Sequence, residues 1–302
     1  MSNQLPEDLP VANAVDTTIL MHREAHFSGD FATMIAYYEQ GGKGVSKDFE
    51  LNRIIELAAI ERAMNKNMAP LMLTGADAEK IARARAAYQK LQNIYESDKE
   101  SNVISRLISD LILSEEEVPN AEIDALVEHR DAAVPALIEL IRAEDFYDPL
   151  FPGYGLAPLA ALHCLEKMGD KRAIMPLFEM IGSSDLFSEE IALFALKKIG
   201  KPAKDFLLKI VSSHPITEDN EKAAIALIHF KEDSDVASYC LKTLQNLEFR
   251  QAIPLANYLA LACEGLTDPD EQADFRLMLD DRSTPDMVKD DIKCICNSWA
   301  RY

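Results

Sequence analysis

Apolar residues recur along this chain at spacings of three and four, the helical period, and the clearest case is a nine-residue word that returns. Residues 161–169 read ALHCLEKMG, 192–200 read ALFALKKIG and 223–231 read AAIALIHFK. Each opens on a small residue, carries apolar positions four and seven further on, and begins 31 residues after the last. That spacing lays the apolar side chains along one helical stripe. The glycine that closes the first two copies suits a left-handed helix stop. A second word follows each copy: Leu177-Phe178-Glu179-Met180-Ile181, Leu207-Leu208-Lys209-Ile210-Val211 and, more loosely, Cys240-Leu241-Lys242-Thr243-Leu244. An earlier copy stands at Leu137-Ile138-Glu139-Leu140-Ile141. Two apolar residues, a charge and two more apolar residues give a helix buried over a wide arc, which stacking between neighbouring repeats can cover from both sides.

Two helices in about thirty residues with a glycine between them, and above all the stretch LAALHCLEKMGDKRAIMPLFEMI at 159–181, resemble the HEAT-like repeats of the phycobilin-lyase type. The resemblance runs over residues 119–283 and weakens at both ends: after Arg250 the small-apolar word becomes Ala256-Asn257-Tyr258-Leu259 and the closing glycine slips to Gly265. It implies an all-α fold, a right-handed α-solenoid of HEAT-like helical hairpins. The repeat is specific for fold and nearly silent for function.

Residues 1–118 lack the repeat and are expected to form an N-terminal helical module, with 119–302 as the solenoid. The joint is the acidic, proline-containing run at 114–120. Helices are expected near 11–26, 30–40, 49–63, 76–96 and 102–113. Ser28-Gly29, Gly41-Gly42, Gly75 and the polar cluster at 98–101 punctuate them, and Asp30 and Asp48 are candidate N-caps. Within the solenoid the distance from Leu137 to Leu177 is 40 residues, against 30 from Leu177 to Leu207. The extra residues fall at 143–158, AEDFYDPLFPGYGLAP, where three prolines and two glycines prevent a continuous helix. Its aromatics, Phe146, Tyr147, Phe151 and Tyr154, are either pinned on the solenoid or offered to a partner, and they are the candidate partner-binding residues.

Composition narrows the partners. The net charge of −20 opposes nucleic acid, which needs a basic surface, and favours a protein or peptide partner with a basic contact side. The one basic stretch, Lys80, Arg83, Arg85 and Lys90, reads as a solvated helix face. The first ten residues are polar and acidic without a secretory pattern, and no apolar run approaches a bilayer span, so a cytoplasmic protein is expected. The five cysteines are an odd number without framework spacing and read as free thiols.

The usual catalytic patterns fail one by one. His22 and His26 share a helix face, but Glu24 is rotated about 200° from His22 where a zinc protease needs glutamate beside its first histidine. The run Gly41-Gly42-Lys43-Gly44 lacks the earlier glycine, the following hydroxyl residue and the strand of a phosphate loop. None of the six histidines is followed by glutamate, which the resemblance to HEAT-like hydroxylases would require at their irons. The acidic stretch 264–291 lacks the central glycine and terminal glutamate of a calcium loop. No catalytic, cofactor or metal residue is therefore assigned. The expectation is a non-catalytic scaffold or adaptor, with a lyase-type or metal-dependent hydroxylase built on the same repeats, around His163, Cys164 or His229, as the alternative.

Overall fold

The computed structural model describes residues 13–73, 75–96, 103–182 and 186–299. Among these residues the chain is all-helical, with eighteen α-helices, short 3-10 segments and no strand. No described helix is long and apolar enough to cross a membrane. The polar cluster at 98–101 and the first residues of the helix expected at 11–26 lie outside the described residues. Two compact units divide the chain, Met1–Ala161 and Leu162–Tyr302, so the 114–120 run falls inside the first.

In the first unit α1 (Ala14–His26) packs on α4 (Ala69–Met72) and α5 (Ala76–Glu96), and α2 (Phe31–Glu39) on α3 (Leu51–Met64). Next come α6 (Val103–Leu113), α7 (Asn120–Glu128) and α8 (Arg130–Arg142), which pack on one another. A capping box starts α1: Asn13 accepts from the backbone of Asp16, whose carboxylate accepts from the backbone of Asn13. Asp30 caps α2 as its position suggests. Asp48 does not cap α3, where Glu50 takes the N-cap position without a side-chain bond. The core joins Ile19, Leu20, Met34, Ile54 and Leu57 to Leu150 and Phe151 of the 143–158 insertion.

Two arginines fasten this core from within. Arg53 donates twice to the buried carboxylate of Asp16, at 2.7 Å each, tying α3 to α1. Arg23 is completely buried. It donates to Glu61 at 2.7 Å, Asn67 at 2.8 Å and Glu24 at 2.7 Å, and lies 4.4 Å from the centre of the Phe31 ring. A buried guanidinium is tolerated only with its donors met in this way.

The second unit is built on small residues. The division falls in α9 (Ala157–Met168), and α10 (Ile174–Glu179), α11 (Leu186–Ile199), α12 (Lys201–Val211), α13 (Glu218–Ile228) and α14 (Ser234–Gln245) follow. The unit continues through α15 (Leu247–Gln251), α16 (Leu255–Ala262), α17 (Pro269–Leu277) and α18 (Asp286–Trp299). The sequence words lie on these helices in order, and Gly169 and Gly200 stop α9 and α11 at φ 57° and 75°. Neighbours pack in chain order, α11 on α12 and α12 on α13, and α16 then packs on α13, α14 and α18. Ala192, Ala195, Ala223, Ala224, Ala237 and Ala256 are fully buried, which lets these helices approach closely around Leu196, Leu207, Leu227 and Leu259.

Polar bonds cross between these helices at a recurrent separation. Lys197 pairs with Glu232 at 2.9 Å, Lys204 with Asp233 at 2.8 Å, Lys231 with Glu264 at 2.6 Å and Arg250 with Asp281 at 2.5 Å. Ser238 donates to Glu271 and Asn257 to Asp291. Every partner stands 29 to 35 residues further along the chain.

Candidate functional site

The insertion at 143–158 closes against the first unit. It opens with a 3-10 turn, Glu144–Tyr147, and reverses at Gly153 and Gly155, both with positive φ, with Tyr154 between them at φ 52°. A Cβ at Gly153 would lie 2.6 Å from the carbonyl oxygen of Ile112, so only glycine permits the close approach. Phe151 is buried in the core with the Arg83 guanidinium 5.6 Å from its ring centre. Tyr154 stacks on the His26 ring at 4.3 Å. Phe146 and Tyr147 are half-buried, and the Tyr147 hydroxyl donates to Ile141 at 2.8 Å. The four aromatics thus divide into one core residue, one ring of a polar cluster and two at the surface margin.

His26 is the centre of that cluster. Its Nε2 lies 3.0 Å from the carbonyl of Pro149, which can only accept, so Nε2 carries the proton. Nδ1 then accepts from the Tyr88 hydroxyl at 2.6 Å. Burial, with His22 alongside and 5.1 Å between ring centres, drives the His26 pKa down to about 3, which keeps the ring neutral. Burial also lowers His22 to about 4, with Asp148 opposing and Lys80 assisting. The Tyr154 ring stacks 6.4 Å from that of Tyr37, whose hydroxyl donates to the Glu115 carboxylate at 3.1 Å and accepts from the Gly44 backbone at 2.8 Å. Burial raises the pKa of Glu115, Tyr37, Tyr88 and Tyr154, since each loses water around its charged form.

The glycine run passes over these rings. A Cβ at Gly42 would lie 2.3 Å from the Tyr37 ring and one at Gly44 2.2 Å from the Tyr154 ring. Lys43 donates to Glu116 and to the backbone of Ser114. The segment therefore packs on tyrosine and holds the acidic run 114–117. Ser28, Glu115 and Tyr154 are three of the four non-glycine residues with positive φ among the described residues, and all three lie at or beside this cluster. Such backbone collects where the surroundings over-determine it.

The basic stretch of α5 faces this insertion: Lys80 pairs with Asp148, Arg83 with Asp145 at 2.6 Å, and Arg85 with Glu24. His26, Tyr88, Ser28, Glu24, Arg85 and Gln92 border a cleft of about 490 Å³. Tyr37, Tyr88, Glu115 and Arg23 carry no local motif. His26 meets Tyr88 across 62 residues and Pro149 across 123, separations that no spacing rule reads.

In the second unit Cys164, Cys240 and Cys263 are fully buried, and burial pushes the thiols of Cys164 and Cys240 up to about 12. His163 lies 3.6 Å from Glu166, and His229 sets its ring edge-on to Phe194. Among the described residues no three His, Cys, Asp or Glu side chains converge as a metal site would require. Leu186 and Phe187 are each 76% exposed and Phe194 45%. Phe187 and Phe194 are seven apart and share one face of α11. No family model matches this chain, and no curated protein is significantly similar to it.

Proposed function

We propose that the protein is a non-catalytic scaffold of HEAT-like α-solenoid type, whose repeats over 119–302 hold a protein or peptide. The recurrent 29-to-35-residue separation of the polar bonds in Leu162–Tyr302 is the observation that carries this reading. From α11 onward, bonds of that spacing reach from one pair of helices to the next, as stacked repeats would require. The left-handed stops at Gly169 and Gly200 and the alanine-lined helix contacts support it further. The exposed Phe187 and Phe194 supply the aromatic anchors that interfaces favour. A charge of −20 suits a partner with a basic contact side, and three of the α5 cations meet acidic partners, which weighs against nucleic acid.

The insertion aromatics enter this reading through Phe146 and Tyr147. Phe151 is committed to the core and Tyr154 to His26. Quantitative affinity capture from native extract compares the natural chain with Phe187→Ser/Phe194→Ser and with Phe146→Ser/Tyr147→Ser. A partner lost with the first pair, while circular dichroism is unchanged, supports the reading. An unchanged set of captured proteins with both pairs removes it.

A further inference from the structure

A second cleft lies in the first unit, against α1, α4 and α5, and it shares only Glu24 and Arg85 with the cleft beside His26. Its volume is about 690 Å³, within the range of small-molecule sites. Ala69, Leu73 and Ile81 form a buried floor, and Ala78 and Ala82 on α5 leave its rim open. At its polar end stand Glu24, Asn67 and Arg85. Glu24 and Arg85 also border the polar cleft beside His26 and Tyr88.

The hydrogen-bonding capacity left at that end is mostly of one kind. Glu24 is engaged on both oxygens, by Arg23 on Oε1 and by Arg85 on Oε2. Asn67 Oδ1 already accepts from Arg23 and from the backbone of Ala69. Arg85 spends Nε on the Glu24 carbonyl and Nη2 on its carboxylate. What remains are two donors, Arg85 Nη1 and the Asn67 amide nitrogen, and one acceptor position on Glu24 Oε2. Arg23, Arg85, Glu24 and Glu61 cancel in charge, so an incoming anion meets donors without a net negative neighbour in this group.

We infer that this cleft binds a small apolar monocarboxylate, with its carboxylate on Arg85 and Asn67 and its hydrocarbon body over Ala69, Leu73 and Ile81. Charge-assisted bonds to guanidinium favour the carboxylate over a neutral head. An ammonium of the same length would face the Arg85 and Asn67 donors, with only Glu24 Oε2 left to accept from it.

Titration calorimetry of the full chain with octanoate, and with octylamine as its charge-reversed counterpart, tests this. Octanoate is expected to bind saturably, one molecule per chain, at least about tenfold more tightly than octylamine. Arg85→Met is expected to weaken octanoate about tenfold or more. Ala82→Phe, which fills the rim and leaves Glu24 untouched, is expected to abolish binding while circular dichroism and the thermal midpoint stay unchanged. Should Arg85→Met unfold, Ala82→Phe decides alone. Absence of saturation to about 10 mM octanoate, equal binding of octylamine, or full binding by folded Ala82→Phe would each overturn the inference.

Discussion

The first unit buries charge and aromatic hydroxyls, whereas the second buries mainly alanine, leucine and cysteine, with Arg250 and Asp170 as its buried charges. Arg23, Asp16 and His22 are inside the one. In the other, the lysines that reach the next hairpin pair with exposed or half-exposed carboxylates. Both are helical, so propensity does not separate them. What separates them is how much of the core is polar: long-range polar fits around Arg23, Asp16 and His26 in the first unit, small apolar side chains over most of the second. Unique fits make a unit intolerant of single losses. A repeated pattern spreads stability over many near-equivalent contacts.

The comparison is put under most strain by Arg23→Met. Removing the guanidinium leaves Glu24, Glu61 and Asn67 without their buried partner, an expected loss of about 3–5 kcal/mol. Hydrogen exchange should accelerate across α1, α3 and α4 and stay unchanged in α13 and α16. Equal acceleration in both units would break the distinction.

Acid comes next. His22 and His26 hold pKa values of about 4 and 3 in the fold, against about 6.5 in the unfolded chain. Below pH 6.5 the unfolded chain takes up protons that the folded one refuses, so stability is whole above 6.5. It falls as pH drops toward 4, by up to about 1.4 kcal/mol per pH unit for each histidine. In the second unit burial lowers the His229 pKa. Urea unfolding from pH 7 to 5 should therefore lower the first unit's midpoint more steeply. The chain's single tryptophan, Trp299, reports the second unit by fluorescence, and hydrogen exchange reports the first.

This contrast also marks what was legible in the sequence. The ALHCLEKMG and ALFALKKIG words sit on α9 and α11, because a recurring helical period is legible from local spacing alone. The 143–158 insertion was visible as an interruption of that period. Its docking was not, since the Pro149 carbonyl and the His26 ring meet across 123 residues. The His22/His26 pair shares a helix face in the sequence, and its geometry is that of a neutral brace. Arg23, beside it, drew no notice, because arginine reads as surface until its partners are known. Asp48 was a plausible cap, but α3 begins three residues later, at Leu51.

Gly44→Ala sharpens the account of the first unit, since its Cβ would press on the Tyr154 ring. An expected cost of about 1–3 kcal/mol would appear in urea unfolding followed by hydrogen exchange at α1 and α5. The smallest effect is expected from Lys197→Met, which removes one exposed ion pair with Glu232 and should cost about 1 kcal/mol or less. A larger loss would make the inter-hairpin bonds principal supports of the second unit.

Hydrogen exchange across the second unit in Gly265→Ala tests its stacked character most directly. A Cβ there would fall 1.6 Å from the carbonyl oxygen of Lys231, forcing the turn after α16 away from its neighbour. Stacking of near neighbours gives a graded result: protection falls most in α14 and α16, less in α13, and stays near the natural value in α11. Uniform loss from α11 through α18 would show one indivisible core and contradict the repeat reading.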